Sequence, residues 1–419
     1  MTWQYQFFEA LATLRYYRRR TLITILSLGW GVACFVILMS YGDGFAFALT
    51  KAFRAVGQDL VIMFDGQTSE QAGGLRAGRF IKMEFEDAAA IREAVPLVGA
   101  LSPEAYRGGV RAIRGGREKD VGLRAVYPEY SVVRNINVSD GRWITPEDNA
   151  GQHRVAVIGA KAAKELFAGS PAIGEEITLN GLRFTVVGVL ESKLQIANYS
   201  RPDNECVFIP YESYGVFGDK HYPTFLVWMP VSGAVRDQAV KAVRAKLAEL
   251  HRYSPTDEKA VEILAFSQFM SLITGMTLAV KLLLGFVGSL TLAIGGVGLA
   301  NIMLASVIDR TREIGMMKAL GSYRRQILKQ FLIEASLITG AGGALGIGLG
   351  TVVTRIIGSM PFLGPLFKDD SGAGSIELHV SIPAILVSTS VLLFVGLVAG
   401  MIPALRAARL DPIKALHHE

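Results

Sequence analysis

The sequence predicts a helical membrane protein with four spans and one α+β domain held outside the membrane between spans one and two. Three observations carry this. Of the 419 residues, 51% are hydrophobic and only 19% charged, against about 25% charged in an ordinary soluble chain. The apolar residues gather in four long uncharged runs. The basic residues gather beside those runs. Such a composition excludes a disordered chain or a coiled-coil rod. Two cysteines, Cys34 and Cys206, exclude a disulfide scaffold and a Cys-rich zinc protein.

A span needs about 20 apolar residues to cross about 30 Å of hydrocarbon. Thr21 to Tyr41, Leu282 to Ile308, Ala335 to Thr354 and Ser381 to Leu405 each meet that length without a charge. No comparable run interrupts Gly42 to Phe266. The predicted segments are therefore 1–20, an interfacial helix; 21–42, span one; 43–265, the external domain with a stalk; 266–308, stalk and span two; 309–330, a connecting segment; 331–354, span three; 355–380, a short external loop; 381–405, span four; and 406–419, a tail. Trp3, Phe7, Leu11 and Leu14 repeat at helical spacing in the first of these, as in an amphipathic helix on a membrane surface. Arg18-Arg19-Arg20 followed by span one could suggest a signal peptide. The apolar run exceeds the usual 7–15 residues of such a leader, so an uncleaved helix is expected.

Charge orients the spans. The segments before span one, between spans two and three, and after span four hold thirteen basic and five acidic residues. The rest of the chain holds 30 basic and 32 acidic. Four spans place all three basic segments on one side, which the positive-inside rule makes cytoplasmic. Both termini are then inside, and the large domain is outside. The same clustering accounts for a pI near 9.2 through contact with anionic membrane lipids, not nucleic acid. Lys281 marks the outer edge of span two. Asp43, Lys51 and Arg54 suit an exposed extension of span one.

In the external domain, Leu60 to Phe64, Arg154 to Ile158, Ile177 to Leu179, Phe184 to Val189 and Val207 to Ile209 read as strands, with Asn180-Gly181 as a tight hairpin turn. Glu86 to Val95, Ala160 to Phe167 and Val235 to Leu250 have helical spacing. Its length permits two lobes.

Catalytic motifs are missing. Gly73 to Arg79 has the glycine spacing of a phosphate loop, but Arg79-Phe80 stands where Lys and Ser/Thr are required. Gly340 to Gly350 is glycine-rich inside a span. There is no HExxH; His153, His221, His251 and His379 are scattered, His417-His418 is terminal, and Asp369-Asp370 is a lone loop pair. No catalytic, cofactor or metal site is expected, so another chain must supply energy.

The most specific stretch is NIMLASVIDRTREIGMMKALG at 301–321, continued by Arg324-Arg325-Gln326-Ile327-Leu328 and Phe331 to Ala335. It resembles the cytoplasmic loop of the MacB/FtsX-like, or type VII, ABC permeases. Gly141-Arg142-Trp143, Arg154 to Gly159, Ile173 to Ile177 and Phe184 to Val189 are similar to that family's periplasmic core domain, and Pro403 to Leu416 to its C-terminal signature. The resemblance implies a dimeric permease, paired with a second copy or a paralogue. It also implies a dimer of cytoplasmic ABC ATPase subunits encoded separately, since only about twenty residues precede span one. A periplasmic adaptor and an outer-membrane channel are further implied partners, and the bacterial inner membrane is the implied location. The implied mechanism is mechanotransmission: ATP hydrolysis drives movements of the external domain, which extrudes a substrate from the periplasm or outer leaflet. A LolC/LolE-like lipoprotein-release permease and an FtsX-like signalling device are the alternatives.

Apolar residues in a short basic helix want a partner surface, because such a helix is marginal alone. By resemblance, Arg312, Glu313, Ile314, Gly315, Met317 and Lys318 contact the ATPase. A lipid-facing interfacial helix is the other reading. Gly342, Gly346 and Gly350 form small-xxx-small steps suited to close helix packing. Glu334, near the inner end of span three, is expected to pair with a basic residue such as Lys329 or with headgroup water.

Overall fold

The computed structural model describes residues 3–57, 59–195, 198–364 and 374–411. Asp369-Asp370 and His417-His418 lie outside them. The chain divides into two compact units. One holds the stretches up to Ala48, Thr274–Phe362 and from Ser375 onward; the other holds Leu49–Ile273 and Leu363–Gly374.

The first unit is helical. It holds α1 (Trp3–Tyr16), α2 (Arg18–Arg54) up to Ala48 and, past the strands of the other unit, α8 (Ser267–Asp309) from Thr274 on, α9 (Thr311–Ala319), α10 (Arg324–Ile357) and α11 (Ile382–Arg409). Of these, α2, α8, α10 and α11 are long and apolar enough to cross a membrane. With 37 and 43 residues, α2 and α8 run roughly 55 and 65 Å, about twice the hydrocarbon thickness. Residues 324–330 are already turns of α10. In α1, Ala10 is buried and Leu14 packs into the helical core, whereas Phe8 and Leu11 point outward. A short ladder joins β12 (Ser359–Pro361) to β13 (Ser375–Glu377) between α10 and α11.

The second unit is α+β. In chain order its elements are β1 (Val61–Gln67), β2 (Phe80–Ile81), α3 (Phe85–Ala94), β3 (Val98–Arg114), β4 (Arg117–Val126), α4 (Tyr130–Val133), β5 (Val138–Gly141), α5 (Pro146–Ala150), β6 (Val155–Ile158), α6 (Ala160–Phe167), β7 (Glu176–Leu179), β8 (Leu182–Leu190), β9 (Cys206–Pro210), β10 (Phe225–Pro230), α7 (Arg236–His251) and β11 (Val261–Ala265). Among the described residues they build one eleven-stranded mixed sheet. Its main path is β11-β1-β10-β3-β4-β9-β6-β8-β5, with β2 beside β1 and β7 bridging β3 and β8. Most pairs are antiparallel; β4–β9 and β6–β8 are parallel.

The sheet's centre is buried on both faces. Alternate residues of β1 and β10, Val61, Met63, Leu226 and Trp228, pack with α3 and α7. Val207 and Ile209 of β9 pack with α6. Their neighbours Ile62, Val227 and Phe208 join a third cluster on the opposite face. That explains why these strands read as unbroken apolar runs and not as alternating ones. The β7–β8 hairpin turns on Asn180 (φ 46°) and Gly181 (φ 89°), the left-handed pair a two-residue turn requires.

Six strands of this sheet, β2, β3, β4, β5, β10 and β11, are not among those read from the sequence. The far half of β3 and the near half of β4 are charged, which hides their strand pattern. A register shift between Arg107 and Val110, over Gly108-Gly109, breaks the period of β3.

Candidate functional site

The candidate site is the short helix α9 and its supports, all within the helical unit. Arg310 adopts φ −104° and ψ 13°, ending α8 and letting α9 leave at a new angle. At its other end Gly321, at φ 93°, reverses the chain into Tyr323, the N-cap of α10.

Three residues four apart anchor α9 by one face. The Arg310 guanidinium donates through Nη1 to Glu334 Oε1 of α10 at 3.0 Å and through Nε to Glu313 Oε2 at 3.1 Å. Ile314 is wholly buried among Met303, Val307, Phe331 and Ala407. Lys318 Nζ donates to the Ala408 and Leu410 carbonyls, caring for acceptors left free where α11 ends.

The opposite face is open. Met316 and Leu320 are 47% and 89% exposed, and Tyr323, just beyond α9, is 75% exposed. Arg312, Glu313, Arg324 and Arg325, near them in the chain, are also exposed. Arg312, Met316 and Leu320 share one stripe at i, i+4, i+8.

The six residues expected to face a partner therefore divide. Arg312 and Glu313 point outward. Ile314 and Gly315 are buried in the chain's own core, and Lys318 is turned onto α11; Met317 packs at the core margin. Ile314 and Gly315 turn inward because α8, α10 and α11 already supply the apolar surface that α9 wants, and Lys318 gives its donors to α11. Met316, Leu320 and Tyr323 are the large side chains left exposed here. Helical period alone could have grouped Met316 with Leu320 and separated both from Ile314.

Glu334 is buried and pairs with a basic residue of the connecting segment, as expected, but that residue is Arg310 and not the Lys329 given as the example. Lys329 precedes it by five residues, roughly 140° round the helix, and is exposed.

Gly342, Gly346 and Gly350 lie against α2. A Cβ on Gly346 would stand 2.5 Å from the Gly29 carbonyl oxygen and from Val32 Cβ. One on Gly342 would meet Leu28 Cβ at 2.9 Å, and one on Gly350 would meet Val36 at 3.1 Å. The neighbour is another helix of the same chain.

Polar groups mark both ends of the helices. Arg20 pairs with Asp309 at 2.5 Å. At the far end, Asp43 binds Lys281 at 2.7 Å and accepts from Ser381 Oγ at 2.7 Å. In the α+β unit, Glu84, Glu86 and His221 bring ligand atoms within 4.8 Å of one another. Those side chains are largely exposed at the start of α3.

A family profile for the MacB-like periplasmic core domain matches residues 21–246, more than half of the chain. The chain belongs to the MacB/FtsX-like ABC permease family. A second profile, for the FtsX-like permease C-terminal region, matches 285–412 and so covers α9. Among curated relatives, the macrolide export ATP-binding/permease protein MacB of Bdellovibrio bacteriovorus is 30% identical over 98% of this chain and 61% of its own length. The ABC transporter permease YknZ of Bacillus subtilis is 27% identical over 98% of both chains. The crystallised periplasmic region of MacB from Actinobacillus actinomycetemcomitans is similar over 53% of this chain and 95% of its own, at 19% identity and a TM-score of 0.41. The chain spans about three fifths of the length of the MacB relatives it matches. As a MacB/FtsX-like permease, it is a membrane protein with four candidate spans and a MacB-like α+β domain.

Proposed function

We propose that the chain is the permease subunit of an exporter driven by a cytoplasmic ABC ATPase, which docks on the outward stripe of α9. The observation that carries this is the exposure of Met316 and Leu320 on one face of α9 and of Tyr323 just beyond it, with exposed Arg312, Arg324 and Arg325 close by in the chain. Large apolar side chains held out beside a fixed face mark an interaction surface. The basic segments face the cytoplasm. The domain of β1 to β11 then lies outside the inner membrane, between the first and second spans, with both termini inside. ATP binding and hydrolysis move α9, and the helices pass that motion to the external domain, which extrudes its cargo. The ATPase sits on a separate subunit, in keeping with the full-length match to YknZ. The permease works with a second copy or a paralogue, and with an adaptor and outer-membrane channel where the cell envelope has them. Macrolides, named for the MacB relatives, are the first substrates to try.

The test is mild detergent extraction from native membranes, with mass spectrometry of whatever co-purifies. The wild type is expected to bring down an ABC ATPase, and the pair Met316→Asp and Leu320→Asp is expected to lose it while remaining folded. Recovery of the ATPase with the Asp pair, or its absence with the wild type, refutes docking on this face.

A further inference from the structure

The open and anchored faces of α9 meet at one residue. Arg310 bonds Glu313, whose side chain is 61% exposed beside the proposed docking stripe, and also Glu334, whose side chain is 4% exposed inside α10. We propose that Glu313, Arg310 and Glu334 form a charge relay that ties α9 to α10, with Glu334 as a positioning residue. The inference rests on the docking reading and deepens it by naming how the docked face reaches a span.

Several observations support a tie over a proton carrier or a simple stabilising contact. Glu334 faces a guanidinium at 3.0 Å, a group that stays protonated at any physiological pH, so the carboxylate is needed as an anion. A buried ion pair adds little stability over an apolar pair of the same volume, yet losing one partner strands a charge. On this reading the pair fixes geometry more than it adds stability. The guanidinium is forked, and the two bonds leave from different nitrogens, so one rigid plane joins both carboxylates. It also lies 5.8 Å from the Phe331 ring, one turn before Glu334 on α10. A partner that pulls on Glu313 thus acts on Arg310, and Arg310 has a fixed hold on α10. Lys318 gives α9 its second polar hold, on α11.

The experiment uses the full chain in lipid nanodiscs with two readouts. The first is hydrogen exchange of the α9 amides. The second is hydrolysis by the co-purified ATPase, measured with and without the permease. Two variants are compared with wild type: Glu334→Gln, and the apolar pair Arg310→Met with Glu334→Met. With Glu334→Gln, α9 exchange is expected to rise about a hundredfold. The ATPase should still be recovered, but the permease-dependent part of its hydrolysis should fall at least tenfold. The apolar pair is expected to restore the melting temperature and not the hydrolysis, which a merely structural contact would restore. Unchanged exchange and hydrolysis in Glu334→Gln, or full recovery of hydrolysis in the apolar pair, overturns the relay. If the wild type recovers no ATPase, the docking reading fails by itself, and α9 exchange still decides whether the pair ties the two helices.

Discussion

The two units bury charge in opposite ways. The helical unit keeps its ion pairs at the ends of its helices: Arg20–Asp309 and Arg310–Glu334 at one end, Asp43–Lys281 at the other. Between those bands the spans are uncharged, as about 30 Å of hydrocarbon demands. The α+β unit instead sinks charges into its middle. Arg124 and Arg134 are wholly buried with Glu104 and Asp203. Lys193 reaches Asp203 at 2.9 Å, and Tyr130 and Tyr199 complete the network around Arg124. These groups come from β3, β4, the segment after α4 and the connection before β9. In the helical unit, charge marks depth; in the sheet, it fixes which segments meet.

The sharpest way to break the second arrangement is Asp203→Ala. Burial raises the Asp203 carboxyl, but Arg134, Lys193 and Arg124 outweigh that and hold it well below the usual carboxylate range. Without it, Arg134 and Lys193 lose the carboxylate they pair with, and Arg124 keeps only Glu104. Removing one member of a buried ion network costs about 3–5 kcal/mol. Hydrogen exchange on the full-length protein should show the β4 and β9 amides losing protection while α10 and α11 keep theirs. Equal loss in both units would mean that the network is not local to the sheet.

Close packing does for the helices what the charges do for the sheet. Gly346→Leu drives a side chain into the Gly29 backbone and Val32, and overpacking of this kind costs about 1–3 kcal/mol or more. At Gly348, two residues on, an added Cβ meets nothing within 4 Å, so Gly348→Leu should be near neutral. Melting of both variants in the same detergent checks the contrast. Equal destabilisation would show that the α2–α10 contact is not what Gly346 protects.

How much of this was legible in the sequence follows from where each partner lies. β1 and β9 were legible because burial on both faces leaves a continuous apolar run, and the β7–β8 turn because its two residues must take left-handed angles. The four spans were legible from length and charge. The Arg124 network was not, because residues 104, 124, 134, 193 and 203 form no local pattern; only strand pairing collects them. For α9, periodicity shows which residues share a face. Which face turns inward is set by Phe331 and Ala407, which arrive from α10 and α11. The same limit hid the partner of Glu334: the nearest lysine in sequence points elsewhere, and Arg310 comes from across a helix junction.

A smaller effect tests whether the sheet's network carries an excess of positive charge. Three cations share two carboxylates there. Burial lowers the Lys193 ammonium from 10.5 to about 8, against the pull of Asp203. A group whose folded value lies below its unfolded one binds fewer protons in the fold, so stability rises with pH between the two values. The sheet should therefore gain ~1–3 kcal/mol on going from pH 8 to 10, read as slower exchange at β4 and β9 after correction for the intrinsic rate. Lys193→Met should flatten that slope, although it also takes one counter-charge from Asp203. A slope that survives the substitution would move its origin to another group. A slope of opposite sign would mean that Asp203 holds Lys193 more firmly than burial penalises it, and that the network carries no excess of positive charge.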